Sequence, residues 1–181
     1  MSENDSVQVR LADLARDRDD VARLWLEYLS WGNDEMEARH GFRLPVREAV
    51  ERDLASIHKF QPPHGQIVLA VSDGRACGIG CLQRIASDIA EIKRMYVEPT
   101  HRRAGAGRAM LERLLAEAEK AGYVRVRLDS PDFLSSAHAL YRRHGFVDID
   151  AYPESEIPDE YKAHWVFMER APRVAHVPPP T

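Results

Sequence analysis

Apolar and polar positions alternate from Val7 to Leu11, a pattern that predicts a first strand. From Asp19 the period lengthens. Val21, Leu24, Trp25, Tyr28 and Leu29 recur at spacings of three and four, the stripe of an amphipathic helix that Gly32-Asn33 is expected to end. Asp34 to Leu44 shows no period and mixes Glu35, Glu37, Arg39, His40 and Phe42. Pro45 opens a second helical stretch with Val46, Val50, Leu54 and Ile57 on one face, broken by Gln61-Pro62-Pro63-His64-Gly65. Strands are predicted at Gln66–Ser72, Ala76–Ile85 and Ile89–Val97, joined by turns at Asp73-Gly74 and Ser87-Asp88. A helix follows from about Gly105 to Ala121, with Ala106, Met110, Leu114 and Ala118 every fourth residue and Gly122 placed as its C-terminal cap. Tyr123–Leu128 is a further strand. A short helix runs from Ser135 or Ser136 to His144, and Phe146–Ile149 and Trp165–Met168 supply the last strands.

Helices first, then a meander, then β-α-β-α, describes one α+β or mixed α/β domain. It spans residues 1–170, with residues 1–6 frayed and a Pro-rich tail, 171–181, expected to be disordered. The 181 residues suit a single core. The formal charge of −4, from 25 basic and 29 acidic residues, exerts no global pull toward nucleic acid or anionic membrane, so any anion site must be local. No apolar run approaches the ~18–20 residues of a membrane span, and the N-terminus lacks a signal-peptide core, so a cytoplasmic protein is expected. Cys77 and Cys81, four apart on one strand, are expected to face the same way as packing residues, unable to bridge. Eight histidines supply no His-x3-His or His-Glu-x2-His pair, so no metal site is expected.

The most informative segment is Val97-Glu98-Pro99-Thr100-His101-Arg102-Arg103-Ala104-Gly105-Ala106-Gly107-Arg108, which joins a strand to an amphipathic helix. Its glycines permit close backbone approach, and the helix start offers unpaired N–H groups and a positive dipole end. Arg102, Arg103 and Arg108 would repel one another without a counter-anion, so the segment predicts a phosphate cradle. A P-loop is excluded because no Lys-Ser or Lys-Thr follows. A dinucleotide fingerprint is excluded because Met110 stands where its third glycine belongs.

Arg-x-x-Gly-x-Gly after a strand, preceded by Val97-Glu98-Pro99 and followed by Met110-Leu111, resembles the acyl-CoA pyrophosphate loop of the GNAT superfamily of N-acetyltransferases. Tyr141-Arg142-Arg143-His144-Gly145-Phe146 resembles that family's Tyr-x3-Gly-Phe motif. The resemblance is strong over about residues 66–150. It implies a central, mostly antiparallel mixed sheet of about seven strands flanked by about four helices, with acetyl-CoA as cosubstrate and no metal. It also implies that Met95, Tyr96 and Val97 line the pantetheine arm, that residues 102–108 (Arg102, Arg103, Ala104, Gly105, Ala106, Gly107 and Arg108) hold the pyrophosphate, and that Tyr141 lies beside the sulfur as general acid. Glu91, six residues before Val97, takes the place of the general base. As a strand carboxylate it equally suits pairing with Lys93 on the same face. The family's usual Asn is replaced by Leu134, so its contacts are either absent or made by Ser135 or Ser136.

The implied reaction is direct acetyl transfer to a primary amine of a small molecule, with no cysteine nucleophile. A non-enzymatic acyl-CoA sensor is the alternative. It would keep Arg102–Arg108 but would not need Tyr141 or Glu91. Glu35 or Glu37 are further candidates for the base. Lys93, Arg94 and Arg84 either greet an anionic group on an amino-acid-like acceptor or are solvated strand-edge charges. The acceptor is expected between Trp31–Leu44 and the strand carrying Glu91. A homodimer is compatible with the sequence.

Overall fold

The computed structural model describes residues 7–102 and 104–171; residues 1–6, expected to be frayed, Arg103 and nearly all of the Pro-rich tail lie outside them. Seven strands form one sheet: β1 (Gln8–Leu11), β2 (Gln66–Ser72), β3 (Arg75–Arg84), β4 (Ile89–Val97), β5 (Arg125–Pro131), β6 (Val147–Ile149) and β7 (Trp165–Arg170). Their order is β1-β2-β3-β4-β5-β7-β6. The β4–β5 pair is parallel and its neighbours are antiparallel. Four α-helices cover the sheet: α1 (Leu14–His40), α2 (Val46–Ala55), α3 (Ala106–Lys120) and α4 (Ser135–Arg143). No described helix is long and apolar enough to cross a membrane.

Alternating side chains divide the core between the two faces. Val68, Ala90, Ile92, Val126, Leu128 and Met168 pack under α3 through Met110, Leu111 and Leu114. Ile67, Leu69, Ile79, Cys81 and Tyr96 pack under α1 and α2 through Val21, Leu24, Trp25 and Val50. Cys77 and Cys81 are both buried, but on opposite faces, contrary to the expectation from spacing. The pairing with β2 passes from Gly78↔Ala70 to Ala76↔Val71 and leaves Cys77 as the extra residue of a bulge, which reverses the alternation.

The first helix departs most from its pattern. It begins at Leu14, capped by Asp13, whose side chain accepts from the Ala15 N–H at 3.0 Å. It also passes through Gly32-Asn33 without ending. Asn33 turns its amide away from the helix backbone, donating to the Leu44 carbonyl at 3.0 Å and accepting the Leu44 N–H at 2.7 Å. The helix stops instead at Gly41, which adopts φ 76° and donates to the Glu37 carbonyl. Most of the aperiodic stretch after Gly32 is therefore helical. Its polar residues face outward, and Asn33 and Met36 face in.

Candidate active site

Parallel pairing between β4 and β5 ends at Ile92↔Leu128, yet β4 continues to Val97 and β5 to Pro131. Arg94 has φ 57°, an unusual conformation for a residue with a side chain, and the β3–β4 register shifts at this point. The kink turns the end of β4 away from β5. The opening between the strands leads into two clefts that share Tyr28, Trp31, Phe133 and Leu134.

The first cleft, about 570 Å³, lies between the end of β4 and the N-termini of α3 and α4. Met95, Tyr96, Val97, Arg102, Gly107 and Tyr141 all line it, as do Ser135 and Ser136 beside Leu134. The first backbone hydrogen bond of α3 runs from the Ala109 N–H to the Gly105 carbonyl, so the preceding turn presents N–H groups without a partner among the described residues. Gly105 requires its glycine through φ 81°, whereas Gly107 faces open space, with Val97 and Leu140 no nearer than 4.0 Å to an added Cβ. Ala104 is exposed and Ala106 is buried against the core. Arg102 and Arg108 are less free than their spacing suggests. Arg108 is paired with Glu112 at 2.8 Å. Arg102 donates to the Val97 carbonyl at 2.9 Å and lies over the rings of Trp31 and Tyr96. The described groups that could hold an anion here are therefore the backbone N–H groups at the start of α3, with Arg102 at the cleft wall.

Tyr141 sits on the buried face of α4 against Phe146. Its hydroxyl makes no hydrogen bond with a described residue, and burial, reinforced by Tyr28, raises its pKa well above the usual phenol value. The side chain thus meets the first cleft as a neutral donor.

The second cleft, about 230 Å³, lies between α1, α2 and the sheet. Leu29, Met36, Leu44, Val46 and Trp165 give it apolar walls, while Lys93, Arg94, Asp129 and Glu156 supply charge. The segment from Trp31 to Leu44 does contribute to it, through a helix face rather than a loop. Lys93 is paired with Glu156 at 2.6 Å and with Glu91 at 3.6 Å, and Arg94 donates to Asp53 at 2.6 and 3.0 Å. Both cations are matched inside the protein, so they are neither solvated edge charges nor vacant anion grips. Arg84 is exposed at the end of β3 and lines neither cleft.

Glu91 is fully buried and also lines neither cleft. Gln83 and Tyr152 each donate to its carboxylate at 2.7 Å. Of the two carboxylates that line the second cleft, Glu156 is paired with Lys93, and Asp129 lies on the stretch of β5 that has lost its β4 partner. Burial, and then the neighbouring Glu91 charge, raise the Asp129 pKa to about 6, against the lowering effects of Lys93 and of a hydrogen bond from Ser155 at 2.9 Å. Sequence reading missed this residue. The available signal was a carboxylate immediately after the apolar alternation Val124, Val126, Leu128, where the strand stops being an ordinary strand. Glu35 lines the first cleft near Arg39, to which it is paired; Glu37 pairs with Arg43.

Residues 63–148 match the family model of the acetyltransferase (GNAT) domain. An uncharacterized N-acetyltransferase of Schizosaccharomyces pombe is 29% identical over 163 residues, covering 88% of this chain and 94% of the relative. An IAA acetyltransferase of Azospirillum brasilense is 31% identical over 116 residues, 64% of this chain and 74% of the relative. Among solved structures, the PaiA N-acetyltransferase of Thermoplasma acidophilum, in complex with coenzyme A, superposes with a TM-score of 0.69 at 17% identity, covering 92% of this chain and 99% of that one.

Proposed function

The chain belongs to the GNAT acetyltransferase family, and from that membership we propose that it transfers the acetyl group of acetyl-CoA to a primary amine of a small, amino-acid-like acceptor. The observation that carries this reading is the junction of the two clefts. One presents a helix N-terminus and Tyr141, the other an apolar chamber with Asp129 at its floor, and they meet where β4 and β5 part.

In this reading the first cleft takes the cosubstrate. The free N–H groups at the start of α3 hold its pyrophosphate, with Gly107 leaving room for the backbone to approach. The end of β4, at Met95 to Val97, lies along the pantetheine arm. The acceptor enters the second cleft as an ammonium ion, which cannot attack. Asp129, ionised above about pH 6, accepts one proton from it, directly or through a water. The neutral amine then attacks the thioester carbonyl. As negative charge builds on the carbonyl oxygen, a β4 N–H near Val97, released from β5 pairing, stabilises it. When the C–S bond breaks, Tyr141 donates a proton to the sulfur and recovers one from the new amide nitrogen. The net products are the acetylated amine, the CoA thiol and one proton released through Asp129. Cys81 takes no part: burial raises its thiol pKa to about 12. Glu91 acts at one remove, anchoring Lys93 and raising the pKa of Asp129.

Arg52 supports an acceptor with a carboxylate. It lines the second cleft, is exposed at its rim, and makes no ion pair with a described residue. The test is a panel of amines and amino acids assayed with acetyl-CoA by free-thiol release, repeated with Arg52→Ala. Amino acids should be preferred over the matching amines, and the substitution should raise KM at least tenfold for the amino acids alone. Equal turnover of amines and amino acids by both proteins would remove the amino-acid assignment.

A further inference from the structure

Three residues from separate parts of the chain meet on the surface beside the second cleft. His40 is the last residue of α1, Asp132 follows β5, and His164 precedes β7. One ligand-type atom from each lies within 4.8 Å of the other two. The His40 Nε2 is 3.1 Å from the Asp132 Oδ1. The two imidazole rings stack at 4.0 Å between centroids. Sequence spacing gives no sign of this group, because 92 residues separate His40 from Asp132.

The surroundings hold these side chains in place. The Asp132 N–H donates to the His164 carbonyl at 3.0 Å, so those two residues are fixed by backbone. Phe42 stacks on Tyr161 at 4.2 Å and lies against both histidine rings, which limits their rotation. The His164 ring makes no hydrogen bond with a described residue. Two imidazoles and one carboxylate form the donor set of a borderline divalent cation, with a fourth position left to water. Ligands ~2.1 Å from a tetrahedral zinc lie about 3.4 Å from one another, so side-chain rotations of about an ångström complete the geometry.

We propose that His40, Asp132 and His164 bind a zinc-class divalent cation, which fastens the C-terminal end of α1 to the loop after β5. That loop continues into Phe133 and Leu134, which border both clefts. The cation would therefore brace the rim of the site from outside and take no part in the chemistry.

The experiment titrates the metal-stripped full chain with zinc by calorimetry and with cobalt by visible absorption. One cation per chain and the d–d spectrum of a tetrahedral nitrogen–oxygen site are expected. His40→Ala and His164→Ala should each weaken zinc binding at least tenfold, and Asp132→Asn should alter the cobalt spectrum. Retained CoA binding confirms that each variant is folded, and His40→Gln and His164→Gln serve in place of any alanine variant that is not. Absence of zinc binding at micromolar concentrations, or unchanged affinity in folded variants of both histidines, overturns the proposal.

Discussion

The Tyr152 hydroxyl donates to the Glu91 carboxylate at 2.7 Å across 61 residues of sequence. Gln83 occupies the other oxygen, also at 2.7 Å. Between them they bury the carboxylate with its hydrogen bonds made. Tyr152→Phe should therefore destabilise the fold by about 1–3 kcal/mol, the cost of leaving a buried acceptor short of a donor. Glu91→Gln should change kcat modestly while preserving an acidic limb in the pH profile. Urea unfolding checks the first expectation and steady-state kinetics the second. An acidic limb abolished in Glu91→Gln would return the role of base to this residue.

The loop before α3 separates two kinds of glycine. Gly107→Val places its side chain in the open first cleft, where an added Cβ meets protein atoms only at 4.0 Å. The fold should tolerate the change, while CoA affinity falls by more than tenfold, a loss above ~1.4 kcal/mol. Gly105→Val puts a β-branched residue at φ 81° and should lower stability as well as affinity. Calorimetric CoA titration alongside thermal melts distinguishes the two behaviours.

At the far edge of the sheet, Asp17 ties β1 to the start of α1. It accepts from Arg10 at 2.6 and 2.9 Å, from Arg16 at 3.0 Å and from the Asp13 N–H at 2.8 Å. The Arg10 hydrogen bonds, against the opposing effect of burial, hold its carboxyl pKa well below the usual range. A depressed carboxylate stabilises the fold above its unfolded pKa of ~3.9, and that contribution is lost as pH falls toward the folded value. Asp17→Asn should cost about 2–4 kcal/mol at pH 7, and the difference from wild type should narrow below about pH 4. Denaturant unfolding at pH 7 and pH 3.5 measures both.

β5 was legible because it buries alternate side chains, so period two survives in its sequence, whereas β2, β3 and β4, buried on both faces, were legible as apolar runs bounded by the turns at Asp73-Gly74 and Ser87-Asp88. The loop at Arg102–Arg108 and the motif around Tyr141 were legible because a turn and a helix start need particular residues at fixed spacing. The course of α1 past Gly32 was not. Gly32 and Asn33 carry the ordinary signs of a helix end, and only the tertiary bonds from Asn33 to Leu44 show why the helix continues. Asp129 was hidden for a different reason. A carboxylate near a strand end means little until β4 parts from β5 and burial beside Glu91 raises its pKa. Glu91 stood out for its spacing from Val97, but spacing carries no information about Tyr152, whose approach closes it off.

Asp129 also makes a stability prediction. Its raised pKa means that the folded protein disfavours the ionised form. The penalty is full above about pH 6 and vanishes below the unfolded value of ~3.9. Asp129→Asn should therefore raise stability by about 1–3 kcal/mol at pH 8, with the gain shrinking as pH falls from 6 toward 4. Thermal unfolding of the two proteins across that range tests the sign. A variant less stable than wild type at pH 8 would contradict it.

The most direct measurement is the pH dependence of kcat/KM for acetyl transfer in wild type, Asp129→Asn and Tyr141→Phe, with one acceptor whose amine stays protonated throughout. Wild type should lose activity through an acidic limb near pH 6, set by Asp129. Asp129→Asn should lower kcat/KM by roughly 10²–10⁴-fold and erase that limb, while Tyr141→Phe lowers kcat by a similar factor and keeps it. An acidic limb near pH 6 that survives at full rate in Asp129→Asn would contradict the account.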